Sequence, residues 1–574
     1  MTFVDAVNSR KALLDLVGFD DAYLVLAVAM FIEEPDAEAL AGVALTEGGN
    51  DKKIDLIYLD KEARRVVFAQ GYMAKKKNDS APANKASDLN TACAWLISGD
   101  LTTVPSKLKG IVEECRSAIN SGDIDFIDLL YVHNLPNSIN VARELQTVED
   151  HLRATLANEK ILVKSHELGS ARLEHLFAAQ DSHIAVTDDI PFPSQIGITQ
   201  SGATWTAGVA TVSGEWVSAL YSRYGDELYS ANYRGFLGAD GRKRVNKGIR
   251  ETVERSPTDF WAFNNGITIL TLAIKRDKSS KKEEITLKGA SVINGAQTTG
   301  SIGSVDSTKT SISEVKLLCR VIECSDQETI DKIVRYNNTQ NAITTWDQFS
   351  NDEDQKRIHD EFLELGFSYN RKRGFSAAGD QIGIEQVLQP LLAYHGRPAD
   401  AVRGKNQLFV QKHLYRNAFD GTKARHILFV YALSRAIDSK RMELKAKSNS
   451  SALIAVEEKQ LNLLRNLNFK PFLISVIANS LETIVGTPCD LRMVGFKPVA
   501  AKDAGISDLA ARWLPIVEAF LPLLTAIVTP DDFFRNLSND DAYLEKIKAQ
   551  MDGMLSATQT AGKHATFIDM IATS

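Results

Sequence analysis

The feature that most restricts how this chain can fold is the position at which strand-like apolar patterns end. Before about residue 376, short β-type runs alternate with helical periodicities, whereas residues 427–436 and 453–467 are typical of long helices. Strands that alternate with helices indicate a sheet covered by helices. We therefore expect a mixed α/β (α+β) fold that ends in a mainly helical region.

The chain length and one proline-containing segment predict the domain organisation. The 574 residues exceed the size of roughly 300 residues at which a single hydrophobic core stops growing. Residues 188–194, which include two prolines, are interpreted as a linker. We expect three domains: an α/β domain at 1–185, a mixed central domain at 195–372 and a helical domain at 373–574.

Composition excludes several classes of protein. With 44% hydrophobic and 24% charged residues, the chain is neither disordered nor collagen-like. Its five cysteines are an odd number without a CxxC pair, which argues against a disulfide framework and favours the reducing cytoplasm. A net charge of -7 is unlike that of a dedicated nucleic-acid coat, although local basic patches remain compatible with binding.

Two apolar stretches are predicted to be buried helices and not membrane spans. Residues 22–32 form an unbroken apolar run, but a bilayer requires about 20 residues. Residues 513–528 are interrupted by Pro515, Glu518 and Pro522. We therefore expect no membrane partner.

A predicted hairpin near the N-terminus carries the first candidate site. The β-type runs 54–59 and 66–69 are separated by a charged turn. Asp55 near the start of the hairpin and Gln70 at its end can meet at one sheet edge. Oxygen ligands of this kind suit Mg²⁺, which keeps several waters, one of which can become a nucleophile.

This arrangement resembles the PD-(D/E)xK nucleases, which have a restriction-endonuclease-like fold. The resemblance implies that Asp55 and Gln70 are metal ligands and catalytic residues, with a further carboxylate from Glu33 or Glu34. The family expects a lysine where this chain has Tyr72, so Lys75, Lys76 or Lys77 would replace it, with Lys75 first. The alternative is that Asp55 and Gln70 are ordinary polar residues at strand ends, in an inactive nuclease-like scaffold.

The central region contains an ordered series of motifs. They are 228–238 (LYSANYRGFLG), 245–249 (VNKGI), 260–268 (FWAFNNGIT), 292–301 (VINGAQTTGS) and 336–343 (YNNTQNAI). This series resembles the AIPR proteins, named for abortive infection and phage resistance. The resemblance implies a bacterial anti-phage protein that acts in abortive infection.

Two of these motifs predict tight turns. Asn264, Asn265 and Gly266 are typical of a turn before a strand, because Asn and Gly tolerate positive φ. In the motif at 292–301 a strand ends at a glycine and a helix opens near Gln297, where free amides attract anions such as phosphate. The same turn is similar to that of ParB-like and DGQHR-type proteins, which makes nucleotide hydrolysis in the central domain a further alternative function. Thr299 stands where the DGQHR-type proteins have an arginine, and the loss of that cation argues against it.

Amide and basic side chains are the candidates for binding a nucleotide or nucleic acid, since amides pair with bases and cations with phosphates. The alternative is that individual amides only hold turns. An Arg-Lys-Arg run at 371–373, with Tyr369 beside it for stacking, is a further basic candidate. The candidates are Asn232, Arg234, Asn246, Lys247, Asn264, Asn265, Asn294, Gln297, Asn338, Gln340, Arg371 and Arg373. A phage-derived trigger and a homo-oligomer are further partners that the resemblance leaves open.

Overall fold

The computed structural model shows a mixed α/β fold with a helical C-terminal region, as expected. It describes residues 2–573 apart from 33, 47–52, 77, 98, 157, 159–160, 182–183, 185, 225–227, 230–248, 250, 278–282, 304, 306–310, 339–352, 372–380, 403–407, 410, 451, 467, 502–503, 530–540 and 558–563. The chain divides into two compact units. We call Met1–Leu173 with Thr345–Ser574 the discontinuous unit, and Glu174–Thr344 the inserted unit.

The discontinuous unit begins with a four-stranded sheet in the order β1-β2-β3-β4. Strand β1 pairs antiparallel with β2, while β2, β3 and β4 are parallel to one another. The strands are β1 (Leu56–Asp60), β2 (Arg65–Tyr72), β3 (Phe126–His133) and β4 (Leu162–Leu168). Its N-terminal helices are α1 (Phe3–Ser9), α2 (Lys11–Ile32), α3 (Ala37–Ala44), α4 (Ala83–Ile97), α5 (Ser106–Ser121) and α6 (Ile139–Thr155). Helix α7 (Ser170–Asp181) begins in this unit and continues into the inserted unit.

Apolar periodicity places these elements correctly. The predicted hairpin is confirmed, with Asp60 pairing with Arg65 at its turn. Four residues of α6 that share one helical face are all buried, as their spacing predicts: Val141, Leu145, Val148 and Leu152. They join a core formed by the sheet and by α4, α5 and α6. The first apolar run of the sequence, residues 22–32, lies in α2, and most of its residues are fully buried.

The inserted unit is built on a second sheet, with the strand order β5-β10-β8-β11-β7-β6 and β9 beside β10. Its strands are β5 (Val186–Phe192), β6 (Gly197–Ser201), β7 (Trp205–Ser213), β8 (Ile267–Thr271), β9 (Ala273–Asp277), β10 (Glu284–Asn294) and β11 (Lys316–Cys324). Its helices include α8 (Gly214–Tyr224), α9 (Phe260–Phe263), α10 (Ala296–Gly303) and α11 (Gln327–Asn338). Strands β8 and β11 are parallel, whereas β10 pairs antiparallel with β8.

One local prediction in the inserted unit is wrong. The expected linker at 188–194 lies mostly in β5, which pairs with β10. Because β5 is at the edge of the sheet, Pro191 can lack an amide hydrogen without leaving a carbonyl unpaired in the ladder. Residues 260–263 form the short helix α9, and β8 starts at Ile267, directly after the predicted turn.

The C-terminal part of the discontinuous unit is mainly helical. Its helices are α12 (Glu353–Glu364), α13 (Ile384–Tyr394), α14 (Pro398–Ala401), α15 (Lys412–Phe419), α16 (Ala424–Asn449), α17 (Ala455–Leu464), α18 (Phe469–Asn479), α19 (Leu481–Val485), α20 (Pro498–Ala501), α21 (Ile506–Ile527), α22 (Asp541–Ala557) and α23 (Ala565–Met570). Two short strand pairs accompany them: β12 (Ser368–Asn370) with β13 (Gln381–Gly383), and β14 (Gly495–Phe496) with β15 (Ile571–Ala572).

Helix α21 is long and apolar enough to cross a membrane by length and composition. In the structure it packs against α16, and the indole of Trp513 donates a hydrogen bond to the carbonyl oxygen of Phe429 at 3.0 Å. Trp513, Ile516 and Phe520 are fully buried in the helical core. The helix therefore contributes its apolar face to the core of the discontinuous unit.

Buried ion pairs join the two chain segments of the discontinuous unit. Arg435 on α16 donates to the carboxylate of Asp36 at 2.6 Å and lies 3.5 Å from Glu38. Lys445 donates to the carbonyl oxygen of Leu45 at 2.9 Å. Burial of one partner without the other would cost several kcal/mol, so these pairs fix α3 against α16. The three-domain division expected from the sequence stays a prediction.

Candidate functional site

The first candidate site lies where the hairpin of the discontinuous unit opens. The amide of Asp55 donates to the carbonyl oxygen of Ala69 at 3.1 Å, which extends the β1–β2 pairing by one residue beyond Leu56. Gln70 is the next residue along β2. The antiparallel pairing therefore brings two residues that are 15 positions apart in the sequence to the same edge, as predicted.

Asp55 and Gln70 are in direct contact. The Nε2 atom of Gln70 donates to Oδ2 of Asp55 at 2.5 Å, and the amide of Gly71 donates to the same oxygen at 2.7 Å. Gln70 is buried, and its Oε1 atom has no hydrogen-bond partner among the described residues. A buried amide oxygen without a partner costs about 1–3 kcal/mol, so the pair is held tightly but is not fully satisfied.

The other residues predicted for this site are less closely placed. Tyr72 ends β2. Lys75 and Lys76 follow on an exposed turn, after Ala74 has exchanged two hydrogen bonds with the side chain of Asn134. Glu33 and Lys77 lie outside the described residues, and Glu34 accepts a hydrogen bond from the amide of Asp36. Within the described ranges, no group of three or more His, Cys, Asp or Glu side chains could hold a metal ion.

The sequence did not reveal a buried histidine–carboxylate pair at the same ends of the parallel strands. The amide of Leu135 donates to Nδ1 of His133, so Nε2 carries the proton and donates to Glu167 Oε1 at 3.1 Å. The same carboxylate oxygen accepts from the amide of Ser138, the N-cap of α6, at 2.9 Å. The pair therefore fixes the start of α6 at this edge. His133 ends an apolar strand, and nothing in its spacing signals Glu167 as its partner.

In the inserted unit, Asn264 forms the predicted turn. Its Oδ1 atom accepts from the amide of Gly266 at 2.9 Å and from the hydroxyl of Thr298 at 3.3 Å. Gly266 has φ of 77°, and a Cβ atom there would overlap the carbonyl oxygen of Leu318. The glycine is required by this close approach, and the side-chain oxygen of Asn264 serves the turn. Asn265, the next amide, is exposed.

The second predicted turn is also confirmed. Strand β10 ends at Asn294, Gly295 has φ of 86°, and α10 begins at Ala296. A Cβ atom on Gly295 would lie 2.6 Å from the carbonyl oxygen of Gly266, so the two turns touch. Asn294 and Gln297 are half-buried beside them. Thr299, in the position of the missing arginine, is buried and donates to the carbonyl oxygen of Gly295 at 3.1 Å.

Strand pairing adds an arginine that lies outside the five motifs. Asn294 pairs with Thr268 on β8, and Thr268 pairs with Arg320 on β11, which places the three residues in one row across the sheet. The guanidinium of Arg320 donates to Asn337 Oδ1 on α11, and burial lowers the pKa of Arg320. A cation within the otherwise apolar run of residues 317–322 was the signal that could have identified it.

The remaining predicted binding residues lie outside these two turns, and some lie outside the described residues. Asn338 ends α11. Arg371 is half-buried after β12, in the discontinuous unit. Tyr369 is buried and stacked on Phe362, so the prediction that it stacks on a ligand is wrong. Those outside the described residues are Asn232, Arg234, Asn246, Lys247, Gln340 and Arg373.

The two turns of the inserted unit lie within motifs that resemble one protein family. The family model for the AIPR protein matches residues 229–526, which is more than half of the chain. The chain belongs to the AIPR family. The match covers the second part of the inserted unit and most of the helical region, and it begins after the Asp55–Gln70 edge. AIPR membership supports a role in bacterial anti-phage defence by abortive infection. No curated protein and no solved structure matches the sequence.

Proposed function

We propose that this AIPR protein restricts phage by metal-dependent cleavage of nucleic acid at the edge where Asp55 and Gln70 meet. The observation that carries the proposal is the direct contact between the two side chains, with one buried oxygen of Gln70 unsatisfied among the described residues. Two residues selected as metal ligands from the sequence are thus adjacent in space. Their contact alone gives no catalytic power, so the proposal depends on the chemistry of the donor set.

The donor set fits a hard divalent cation. Asp55 offers a carboxylate and Gln70 an amide oxygen, which are the ligand types that Mg²⁺ takes, with water completing its shell. Rotation of the Gln70 amide would turn Oε1 toward a cation held by Asp55, at the expense of the hydrogen bond that Nε2 donates to Asp55. When bound, Mg²⁺ would supply an activated water and charge stabilisation at a phosphate. Because the neutral Gln70 stands where the PD-(D/E)xK pattern has a second carboxylate, we expect the pair to bind Mg²⁺ weakly.

The protein groups around the pair have separate roles in this proposal. The amide of Gly71 holds the Asp55 carboxylate in orientation. Lys75 and Lys76, exposed beyond the end of β2, would bind the phosphate backbone as point charges. Tyr72 stands where the PD-(D/E)xK pattern has lysine and carries no charge to balance phosphate, so we assign that role to Lys75.

Replacement of Asp55 tests the proposal. In Asp55→Ala, the acidic member of the Asp55–Gln70 pair is removed, and both Mg²⁺-dependent nuclease activity and protection of cells against phage should fall by at least about a hundredfold. The measurements are cleavage of labelled DNA and RNA with Mg²⁺ or Mn²⁺, and plaque counts. Glu113→Ala, an exposed acid on α5, is the matched control and should retain both. Full protection by the Asp55→Ala variant would contradict the nuclease mechanism.

A second candidate function follows from Tyr72 and from the hydrogen bond that Gln70 donates to Asp55. Together they are compatible with an inert nuclease-like scaffold, in which the inserted unit senses a nucleotide or nucleic acid. Asn294→Ala and Gln297→Ala would then abolish protection, whereas Asp55→Ala would not. Because both amides are half-buried, thermal unfolding of each variant must first show a folded chain.

The setting of the reaction is also a proposal. We place the protein in the cytoplasm, since its cysteines are free thiols and the sequence shows no disulfide framework. A phage-derived molecule would serve as the trigger, and the helical region would provide self-association. Size-exclusion chromatography with light scattering tests the last point, and a monomer at micromolar concentration would contradict it.

A further inference from the structure

The two faces of the inserted unit's sheet are covered to different extents. One face carries the main core of this unit. On the other face, α11 packs through Ile330 and Val334 against Leu270 and Ile322. Further along that second face, two paired residues of β7 and β11, Thr211 and Leu318, are exposed. We call Thr211, Leu318 and the half-buried Arg320 the open face.

Helix α9, beside the open face, carries two exposed aromatic rings, of which Trp261 contacts that face. The indole of Trp261 donates to Thr211 Oγ1 at 3.3 Å and is nevertheless 49% exposed, and Phe263 is 71% exposed. Both belong to α9, which leads directly into the turn that Asn264 and Gly266 fix. Exposed rings on a rigid base can bind a flat ligand with little loss of conformational entropy.

Arg320 gives the open face a positive charge. It is half-buried, its Nε atom has no hydrogen-bond partner among the described residues, and no described carboxylate lies within ion-pair distance. Its neighbours in the row are the neutral Thr268 and, two strand spacings or about 10 Å away, Asn294. A partly buried cation without a counter-ion is stabilised when an anion binds next to it.

We propose that the open face binds single-stranded nucleic acid, with bases stacked on Trp261 and Phe263 and a phosphate beside Arg320. The inference rests on the proposed action on nucleic acid and names the form of the substrate. Two exposed rings two residues apart exceed what one base of a free nucleotide can cover. A duplex hides the faces of its bases, whereas a single strand presents successive bases and phosphates together.

Binding of an oligonucleotide in EDTA tests the open face separately from cleavage. The full chain is titrated into fluorescently labelled oligo-dT and oligo-U of about 20 nucleotides, longer than one typical binding site, and anisotropy is recorded. Trp261→Ala and Phe263→Ala should each weaken binding roughly tenfold, and Trp261→Phe should recover most of the loss. Val499→Ala, which truncates an exposed side chain on the four-residue helix α20, is the control and should bind as the unaltered chain does.

The salt dependence tests Arg320. Replacement with Gln should reduce the slope of log K against log salt by roughly one, whereas Arg320→Lys should keep it. Absence of oligonucleotide binding at micromolar concentration, equal binding of duplex or of mononucleotide, or aromatic variants that match Val499→Ala would each overturn the inference. A chain that binds the strand without cleaving it would refute the nuclease proposal alone. If the unaltered chain cleaved nucleic acid and Trp261→Ala bound the oligonucleotide as tightly as the unaltered chain, only the proposed binding at the open face would be refuted.

Discussion

The two candidate regions are held together in different ways. At the edge of the first sheet, Asp55 and Gln70 are joined by a hydrogen bond. A metal ion that bound there would have to replace this hydrogen bond. In the inserted unit, Gly266 and Gly295 allow two turns to contact each other. The side-chain oxygen of Asn264 accepts a hydrogen bond within the first of these turns. Where backbone contacts fix a site, amides that resemble ligand-binding residues can have a structural role, and we propose that exposed neighbours such as Trp261 bind the ligand instead.

The largest expected effect is on the turn contact of the inserted unit. Gly266→Ala should destabilise the chain by about 3–5 kcal/mol, because the new Cβ would collide with the carbonyl oxygen of Leu318 and the backbone has positive φ. Hydrogen exchange read by mass spectrometry should show faster exchange in peptides of β8 and β11.

The matched control is a glycine of the discontinuous unit. Gly421 also has positive φ, 69°, but a methyl group added there would meet no atom within 4 Å among the described residues. Gly421→Ala should therefore cost only about 1 kcal/mol, from backbone strain. Equal losses for the two variants would show that the close approach of the turns is not what holds the inserted unit.

Acid should destabilise the discontinuous unit through Asp36. Burial raises the pKa of this carboxyl, but Arg435, Lys470 and the hydrogen bond from Ala39 outweigh it and hold the pKa at about 2. Because the folded pKa is below the unfolded value near 4, the stabilisation is present above pH 4 and is lost as the pH falls toward 2.

Urea unfolding at a series of pH values measures this contribution. The difference in unfolding free energy between the unaltered chain and Asp36→Asn should shrink by about 2 kcal/mol between pH 5 and pH 2. Asp20→Asn, which replaces an exposed acid on α2, is the control. A difference that stays constant with pH would mean that Arg435 does not hold Asp36 ionised.

A smaller effect should distinguish a cation site from a structural pair. Gln70→Glu places two carboxylates in contact inside the sheet edge, which raises the pKa of the new carboxyl, so the variant should lose stability as the pH rises through that value. Mg²⁺ should restore it and bind roughly tenfold more tightly than to the unaltered chain, since a second anionic ligand is added.

An exposed pair of the same composition is the control. The amide of Gln146 donates to Asp150 on α6 at 3.0 Å. Gln146→Glu should change stability by less than about 0.5 kcal/mol and show no response to Mg²⁺, because exposed charges are screened. If the two variants responded alike to the metal, the Asp55 edge would have no special affinity for cations.

Local pattern was sufficient for much of the fold. The hairpin at Asp55, the buried face of α6 and the turns at Gly266 and Gly295 follow from periodicity and from the conformational freedom of glycine. Other features of the fold depend on tertiary contacts that local sequence patterns do not indicate. Pro191 could enter a strand only because β5 is an edge, and Arg435 pairs with Asp36 across almost 400 residues, a distance at which no local pattern operates.

The candidate site was likewise predictable only where local pairing brings its residues together. Asp55 and Gln70 meet because antiparallel pairing brings residues near one hairpin end together. Arg320 joins Asn294 only through the order of three strands, and His133 meets Glu167 only through parallel pairing of β3 and β4. Exposure of Trp261 and burial of Tyr369 depend on packing, which residue type alone does not determine.

Binding of Mn²⁺ to the metal-free chain is the most direct test of a cation site at the Asp55 edge. Electron paramagnetic resonance of free Mn²⁺ would count bound ions in the unaltered chain, in Asp55→Ala and in Glu113→Ala. We predict one site that Asp55→Ala removes and that Glu113→Ala keeps. Binding that is unchanged in Asp55→Ala, or no binding to the unaltered chain at millimolar Mn²⁺, would contradict the metal-dependent mechanism.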